Sequence, residues 1–415
     1  MRADRLLAQA LPRVAPDVVA SDRPYWLVAA GKAAAPMADA WLHASRAPCR
    51  GGVVVSPDGA PVGDARIAAI RGGHPVPTAG SLEAGQRAIA IASALGRDDR
   101  LVVLLSGGAS ALAAVPAAGL TLDDKVAASD LVMRAGAAIG DLNAVRKHLS
   151  RLKGGQLAAT TRAETWTFAL SDVVAPVEDD ASVIGSGPTV ADPTTFGHAR
   201  DVLERHRVMK AVPRAVRARL EAGADGTLDD TPKPGDPRLA HSEWRLIGSR
   251  RDAMRAASTI ASELGYATAV IEAPVIGQAR EAGPKLVALA RARSTGQPRP
   301  ACVIASGETT VRVTGTGTGG RNQELALSVV PLLAGIDEPI VLASVGTDGR
   351  DGPTDAAGAL ADASTLVRAR RAGLGPAEPW LAENNAYPFF DALGDLVRTG
   401  PTGTNVADLH VIVIA

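Results

Sequence analysis

The sequence is poor in cysteine and has no net charge, and each shortage excludes a class of protein. Two cysteines, Cys49 and Cys302, occur in 415 residues, and each lies beside an apolar strand-like run, so we expect buried free thiols rather than disulfides or a zinc site. Lys and Arg total 44, as do Asp and Glu, which leaves no bulk attraction to nucleic acid or to anionic membranes. Any anionic ligand must therefore be held by a local cluster.

Long hydrophobic runs are also missing. No segment has the roughly 18 consecutive apolar residues of a membrane span, and the N-terminal stretch lacks the apolar core of a signal peptide. We therefore expect a cytoplasmic protein that acts on a small molecule and binds neither nucleic acid nor a membrane; a homodimer stays an open alternative. The 46% hydrophobic content is typical of a folded protein, and the length favours two domains.

Short apolar runs alternate with longer helical patterns, which predicts βαβ units and parallel strands. A polar stretch rich in Gly, Pro and Asp, residues 223–240, is interpreted as a linker or a long surface loop, and the predicted domains are 1–235 and 236–415. Residues 122–160 are expected to be mostly helical. The predicted strands are 25–30, 52–56, 67–71, 101–106 and 165–171 in the first half, and 244–248, 267–271, 301–306, 310–313, 340–345 and 410–414 in the second.

Two turns after predicted strands have the composition of anion sites. Lys32 follows Gly31 where a helix begins, so its ammonium can reinforce an anion at the helix N-terminus. In the second turn, glycines leave backbone N–H groups free to form a nest, and serines add hydroxyl donors. Its residues are Ser106, Gly107, Gly108 and Ser110. The alternatives are a solvated lysine and a tight packing turn.

A basic run and an acidic strand end follow. In NAVRKHLSRLKGG, Arg146, Ser150 and Lys153 are spaced to share one helix face, and the two cations are candidates for holding a carboxylate or a phosphate. A solvated basic face is the alternative. Asp172, at the end of a predicted strand, is a candidate ligand for a metal ion or a hydroxyl group.

The second half contains three polar loops. Four glycines within residues 315–320 precede Arg321, a backbone that can wrap phosphates beside a bidentate cation. Asp348, Asp351 and Asp355 follow a predicted strand and suit a hard cation such as Mg²⁺, although an Asp-Gly turn cluster is an equal alternative. A loop rich in Thr and Gly, residues 399–408, offers small donors to a polar ligand.

Together these stretches resemble the glycerate 2-kinase family, whose C-terminal part is called the MOFRL domain. The resemblance is carried by NAVRKHLSRLKGG, GTGTGGRNQELAL, GTDGRDGPTDAAGA and TGPTGTNVADL. It implies transfer of a phosphoryl group from ATP, with Mg²⁺, to the 2-hydroxyl of D-glycerate. It also implies an α/β fold: a Rossmann-like parallel sheet with helices on both faces, a second α/β domain with a mixed sheet, and an active site in the cleft.

The resemblance also implies roles for individual residues. Lys32 and Arg321 are the expected catalytic charges, and Asp351 or Asp172 is the candidate base. Here Glu178-Asp179 replaces the family's Gly-Asp pair in a longer loop, so a different sugar acid stays open as the substrate. The expected nucleotide contacts are Ser106, Gly107, Gly108, Ser110, Gly319, Gly320 and Asn322; the expected acceptor contacts are Arg146, Lys153, Glu308, Thr404 and Asn405; the expected Mg²⁺ ligands are Asp348, Asp351 and Asp179.

Two further functions stay open. The first is reduction of hydroxypyruvate, a name that some relatives carry, although no predicted strand is followed by the GxGxxG dinucleotide fingerprint. The second is a sugar-acid sensor without catalysis, which loss of Lys32, Arg321 or the aspartates would have favoured.

Overall fold

The computed structural model describes residues 2–415 and divides the chain into two compact units, the N-terminal unit (Ala3–Gly248) and the C-terminal unit (Ser249–Ala415). The predicted boundary between residues 235 and 236 falls too early. Residues Ser242–Gly248 form a strand that pairs in parallel with Glu164–Leu170, so they belong to the sheet of the N-terminal unit.

A parallel six-stranded sheet forms the centre of the N-terminal unit. Its order is β3-β2-β1-β4-β5-β6, and all neighbours are parallel. This is the strand order of the Rossmann fold, in which the order reverses between β1 and β4. Every residue of β4 is buried, because the sheet is covered on both faces. The strands are β1 (Tyr25–Ala30), β2 (Cys49–Ser56), β3 (Ile67–Arg71), β4 (Arg100–Leu105), β5 (Glu164–Leu170) and β6 (Ser242–Gly248).

Helices cover both faces of this sheet, as predicted. Alternate residues of a strand point to opposite faces, and in β1 Tyr25 meets Trp41 of α3 edge to face, whereas Val28 shares a core with Ala88 of α4. The helices of the unit are α1 (Ala3–Val14), α2 (Pro16–Ala20), α3 (Ala34–Ala44), α4 (Ala79–Ala94), α5 (Ala109–Leu112), α6 (Leu122–Arg134), α7 (Ile139–His148), α8 (Gln156–Thr160), α9 (Phe196–Arg205) and α10 (Arg214–Ala224), with 3₁₀ turns at Ile184–Ser186 and Pro237–Leu239.

Four of these helices, α6, α7, α9 and α10, pack around a core of their own. The expected single helix face through residues 146, 150 and 153 is not formed. Helix α7 ends at His148, and the chain then turns back so that Ser150 pairs with Pro116. Ser150 and Lys153 are therefore placed by this turn and not by helical spacing.

Residues 223–240 are part of the N-terminal unit and do not link the units. The Thr231 hydroxyl donates to the fully buried Asp192 carboxylate at 2.9 Å, and the backbone N–H of Asp192 donates to Pro232 at 2.8 Å. These contacts fix the segment to the turn that precedes α9. Of the two interpretations of this segment, a linker or a long surface loop, the structure supports the loop.

The C-terminal unit has a mixed six-stranded sheet of order β11-β10-β9-β12-β8-β7. Only β7 and β8 pair in parallel, and the other pairs are antiparallel. The strands are β7 (Ala267–Gln278), β8 (Ala301–Thr310), β9 (Ile340–Gly346), β10 (Gly358–Asp362), β11 (Leu396–Val397) and β12 (Asp408–Ile414). The helices are α11 (Arg250–Glu263), α12 (Ala279–Ser294), α13 (Arg321–Leu333), α14 (Thr365–Arg371), α15 (Glu378–Ala382) and α16 (Ala386–Leu393).

One predicted strand is absent from the observed sheet, and two observed strands were not predicted. The predicted strand 310–313 does not form, since β8 runs on to Thr310 and ends there. Strands β10 and β11 were not predicted, because β10 is a short alanine-rich segment and β11 has two residues. Both cysteines are buried and free, as expected. Within residues 2–415, no helix is both long and apolar enough to cross a membrane.

Candidate functional site

The turns after β1 and β4 interlock where the strand order of the N-terminal sheet reverses. The backbone N–H of Lys32 donates to Gly107 O at 2.9 Å, and that of Ala33 donates to Ser106 Oγ at 3.0 Å. Gly31 has φ +136°, and any side chain there would collide with Ser106. Ligands of open parallel sheets bind at this reversal point, outside the carboxyl ends of the strands. Two sequence-predicted anion motifs are thus brought together in one place.

Gly108 opens the short helix α5 in a left-handed conformation, with φ +86°. A Cβ at this position would lie 2.9 Å from Cδ2 of His74, in the turn after β3. His74 therefore borders the 106–110 loop, a role that the sequence analysis missed. The signal available was its position in a Gly-Gly-His-Pro turn directly after a predicted strand.

A chain of hydrogen bonds joins the 106–110 loop, through Ser186, to the basic run. Ser110 Oγ lies 2.8 Å from Ser186 Oγ, which donates to Asn143 Oδ1 at 2.9 Å. The glycines that close the basic run continue the connection, since Gly154 N–H donates to Ser186 O at 3.0 Å. The glycine pair thus serves this close backbone approach.

The two basic candidates of the run occupy different environments. Lys153 is buried, and its ammonium donates to Ser110 O at 2.6 Å, so it lies directly beside the 106–110 loop. Burial lowers the pKa of Lys153 well below its usual value, and the nearby cations Lys125 and Arg146 lower it further. Arg146 is only partly buried, and its guanidinium contacts Met133 Sδ at 3.7 Å.

Asp172 and Asp179 lie in the loop after β5, the strand beside β4. Asp172 is half-buried at the carboxyl end of the sheet, so it lies at the same edge as the interlocked turns. Asp179 has a left-handed backbone with φ +58°, and its N–H donates to Val173 O at 3.2 Å.

Arg321 opens α13 in the C-terminal unit, and carboxylates engage all three of its guanidinium nitrogens. Asp408, the first residue of β12, accepts from Nε at 2.7 Å and from Nη2 at 3.0 Å, and Glu308 of β8 accepts from Nη1 at 2.6 Å. Burial alone would lower the pKa of Arg321, but the fully buried Asp408 outweighs it and raises that pKa. Asp408 was not assigned a role from the sequence.

Asp351 caps the N-terminus of α13. Its carboxylate accepts from the backbone N–H of Asn322 at 3.0 Å and of Gln323 at 2.8 Å. Burial raises the pKa of Asp351 to about 7, against these hydrogen bonds. Gly320 must be glycine, because a Cβ there would collide with Asp351. We name Arg321, Asp408, Glu308 and Asp351 the Arg321 cluster.

One predicted nucleotide contact, Asn322, is engaged in the cap of α13. The Asn322 side chain donates to Asp351 at 3.3 Å and accepts from Ser344 Oγ at 2.7 Å. Ser344 in turn lies 2.9 Å from Nδ1 of His410, whose pKa is lowered to about 4 by burial. Asn322 thus links the cap to a buried polar network in the sheet.

The glycine-rich loop before Arg321 packs against the turn after α15. Gly317 N–H donates to Glu383 O at 2.8 Å, and Thr318 N–H donates to Asn385 Oδ1 at 2.9 Å. Side chains at Gly315 or Gly317 would collide with this turn. At Gly319 a Cβ would meet its nearest neighbour, Ala386 N, at 3.2 Å. The glycines therefore allow close packing within the unit.

The 346–350 and 399–407 loops are joined to each other. Thr347 Oγ1 donates to Ala407 O at 2.6 Å, and Thr402 N–H donates to Asp348 O at 3.2 Å. The predicted acceptor contacts Thr404 and Asn405 are both nearly buried in this layer. Buried Thr404 Oγ1 has no hydrogen-bond partner among residues 2–415.

The predicted metal ligands do not form a ready-made site. Asp348 and Asp351 belong to the C-terminal unit, whereas Asp179 belongs to the N-terminal unit. Across the part of the chain that the structure describes, no three His, Cys, Asp or Glu side chains are grouped to hold a metal ion. The assignment of Mg²⁺ ligands therefore stays a prediction.

Comparison with known proteins confirms the resemblance. The family described as a domain of unknown function, DUF4147, matches residues 1–221, and the MOFRL family matches residues 301–408. A protein of Agrobacterium vitis that carries the provisional name hydroxypyruvate reductase is 39% identical over 99% of this chain and 92% of its own length. The D-glycerate 2-kinase of Thermotoga maritima is 37% identical over 98% of this chain and 93% of its own length.

The fold comparison agrees with the sequence comparison. The crystal structure of glycerate kinase from Thermotoga maritima has a TM-score of 0.85 and 35% sequence identity, and the match covers 100% of this chain and 96% of that one. Both α/β units and both sheets were expected from the resemblance. The chain therefore belongs to the family of DUF4147 and MOFRL proteins that includes the D-glycerate 2-kinase of Thermotoga maritima.

Proposed function

We propose that this protein is a kinase that transfers the γ-phosphoryl group of ATP to the 2-hydroxyl of D-glycerate, giving 2-phosphoglycerate. The supporting observation is the interlocking of the Lys32 turn with the 106–110 loop at the reversal point of the sheet. That arrangement occurs in a chain similar nearly end to end to a D-glycerate 2-kinase. Because the reaction consumes ATP, we place the protein in the cytoplasm.

Lys32 and the 106–110 loop are the proposed phosphate contacts. Phosphoryl transfer depends mainly on positioning and on stabilising charge on the transferred group. Lys32 is half-buried, and its backbone N–H donates to Gly107 O at 2.9 Å, so its side chain begins beside that loop. The loop contributes Ser106, Gly107, Gly108 and Ser110.

Arg321 is the second proposed catalytic charge, and Asp408 is its positioning residue. The bidentate pair fixes the plane of the guanidinium, while the partner on Nη1, Glu308, is the more exposed carboxylate. We propose that a phosphate oxygen replaces Glu308 at Nη1 when the substrate binds. The anion would then meet a cation that Asp408 already holds in one orientation.

Mg²⁺ supplies charge neutralisation to the triphosphate when it is bound. Asp348, Asp351 and Asp179 remain its proposed ligands, with oxygen donors of the type that Mg²⁺ prefers, and Asp351 would contact the ion through lone pairs not used by Asn322 and Gln323. Gly319, Gly320 and Asn322 remain proposed contacts of the nucleotide, although Asp351 already accepts from Asn322. Their contribution is expected to be smaller than that of the 106–110 loop.

Asp172 is the proposed base for the acceptor hydroxyl. Its rival, Asp351, is 2% exposed and accepts hydrogen bonds from two backbone N–H groups, so both of its oxygens are engaged. Asp172 is half-buried at the sheet edge beside the phosphate turns. A carboxylate in that environment is reachable by a hydroxyl group.

A panel of sugar acids, each assayed with ATP and Mg²⁺, tests this function. Phosphorus NMR of the product should identify 2-phosphoglycerate. A parallel assay with NADH and hydroxypyruvate tests the reductase that the Agrobacterium protein's name suggests. Oxidation of NADH without ATP-dependent phosphorylation would overturn the proposal, and so would a phosphorylated product at another hydroxyl. Calorimetric binding of glycerate without turnover would favour a sensor.

A further inference from the structure

Three basic side chains of the N-terminal unit lie near one another, and none has a counter-ion within the described residues 2–415. They are Lys125 on α6, Arg146 on α7 and Lys153 in the turn after α7, and we name them the basic triad. Lys125 is 3% exposed and Lys153 is 1% exposed. The charged groups that act on Lys153 are Lys125 and Arg146, and the one that acts on Lys125 is Arg146. Among residues 2–415, no carboxylate forms an ion pair with any of the three.

This lack of carboxylates is local, because the neighbouring basic residues of α7 have carboxylate partners. Lys147 lies 3.2 Å from the buried carboxylate of Asp192, and His148 lies 2.8 Å from Asp230. Buried charges are ordinarily paired in this way, since an unpaired charge in the interior is strongly unfavourable. The basic triad departs from a rule that its immediate neighbours follow.

Backbone carbonyls contact both lysines but do not neutralise them. Lys125 Nζ donates to Arg146 O at 2.9 Å, and Lys153 Nζ donates to Ser110 O at 2.6 Å and Ala113 O at 3.4 Å. A carbonyl is a dipole and cancels no unit of charge. Helix capping therefore explains where each amino group lies, but it does not explain why three basic side chains share one region.

The basic triad would be stabilised by a bound anion. Burial lowers the pKa of Lys125 to about 7, with a contribution from Arg146. The guanidinium of Arg146 stays protonated at any physiological pH. An anion bound beside these groups would favour the charged lysines and would therefore take up protons on binding.

We propose that the basic triad recognises the carboxylate of the acceptor acid. Arg146, the most exposed member, contacts the carboxylate, and Lys125 and Lys153 supply the positive field around it. The position supports this, since Lys153 adjoins Ser110 of the loop assigned to the phosphates. The inference rests on the proposed function and adds the means by which an acid, and not its uncharged analogue, is selected.

Steady-state kinetics of Lys125→Met and Arg146→Gln provide the first test. Each should raise KM for D-glycerate by about tenfold or more and change KM for ATP by less than about twofold. Arg146→Lys should recover part of the loss. Arg151→Gln, an exposed cation of the same segment, is the matched control and should change neither KM. A larger rise in KM for ATP would assign the triad to the nucleotide and overturn the proposal.

Thermal unfolding separates recognition from a structural role. If the lysines serve recognition, Lys125→Met and Lys153→Met should unfold at the same temperature as the parent or higher, because a buried basic group without a carboxylate partner is removed. If they serve only as helix caps, both variants should unfold at lower temperature with unchanged KM for D-glycerate. That second outcome would overturn the proposal.

Direct binding keeps this inference separate from the kinase activity. Calorimetric titration with D-glycerate, in buffers of different ionisation enthalpy, should show net proton uptake for the parent protein and about tenfold weaker binding for Arg146→Gln. Glycerol should not bind. Triad-dependent binding without any turnover would overturn the kinase function and leave this inference standing. Turnover with equal D-glycerate affinity in all variants would overturn this inference and leave the kinase function standing.

Discussion

The two units group basic and acidic side chains in opposite proportion. In the N-terminal unit the basic triad brings together three basic side chains, none of which forms an ion pair with a carboxylate of residues 2–415. In the C-terminal unit the Arg321 cluster holds one cation among three carboxylates. An anion that binds beside the basic triad supplies the negative charge that these side chains lack. An anion that reaches Arg321 must instead compete with a carboxylate already bound. The first arrangement favours tight recognition, and the second favours contact with a strongly charged group such as a phosphate.

Removal of either proposed catalytic charge should have the largest effect. Lys32→Ala and Arg321→Ala should each lower kcat by about a hundredfold or more, the usual result of losing one donor to the charge that develops in the transition state. Stopped assays of 2-phosphoglycerate formation measure this. Near-normal rates in both variants would show that neither Lys32 nor Arg321 is a catalytic charge. The difference between the two units would then have no bearing on catalysis.

Asp408→Asn should lower kcat by about tenfold while KM for D-glycerate changes by less than twofold. Asparagine keeps one acceptor for Arg321 but removes the buried charge that fixes the guanidinium, so the cation remains but is less well oriented. Asp337→Asn, an exposed change in the same unit, is the control. An equal loss in both variants, or a selective rise in KM for D-glycerate, would contradict a positioning role.

The raised pKa of Asp351 should give the C-terminal unit a distinctive pH dependence. A carboxyl whose pKa is near 7 when folded and near 4 when unfolded binds more protons in the folded state over that interval, so its contribution to stability falls as pH rises from about 4 to 7. Asp351→Asn should therefore lose less stability than the parent between pH 5 and pH 8. Urea unfolding at pH 5 and at pH 8 measures the free energy of unfolding of parent and variant. An equal change in that free energy for both proteins would contradict the prediction.

The sheet of the N-terminal unit could be predicted from sequence because its strands are short apolar runs that end in, or are directly followed by, glycine or serine. The same logic brought the Lys32 turn and the 106–110 loop to one edge, since the carboxyl ends of parallel strands share it. Helical spacing failed for Lys153, because α7 ends at His148 and long-range pairing then directs the chain. No local pattern signals such a turn.

The pairing of Arg321 with Asp408 was equally invisible to sequence reasoning. The two residues are 87 positions apart and are joined only because β12 returns between β8 and β9. The glycines before Arg321 were interpreted as a phosphate wrap, but a glycine needed for packing against another loop has the same sequence signature. Composition cannot distinguish a backbone that approaches a ligand from one that approaches its own chain.

The smallest expected effect concerns His74 and separates two parts of the N-terminal unit. His74 lies against Gly108 of the 106–110 loop, so His74→Ala should raise KM for ATP by about threefold through a less firmly held loop. KM for D-glycerate should change less, because Lys125 is held by Arg146 O of another segment and only Lys153 of the basic triad contacts the loop, through Ser110 O at 2.6 Å. His43→Ala, an exposed histidine at the end of α3, is the control. A rise only in KM for D-glycerate would mean that the turn after β3 contacts the acceptor. The roles proposed for the 106–110 loop and for the basic triad would then both be wrong.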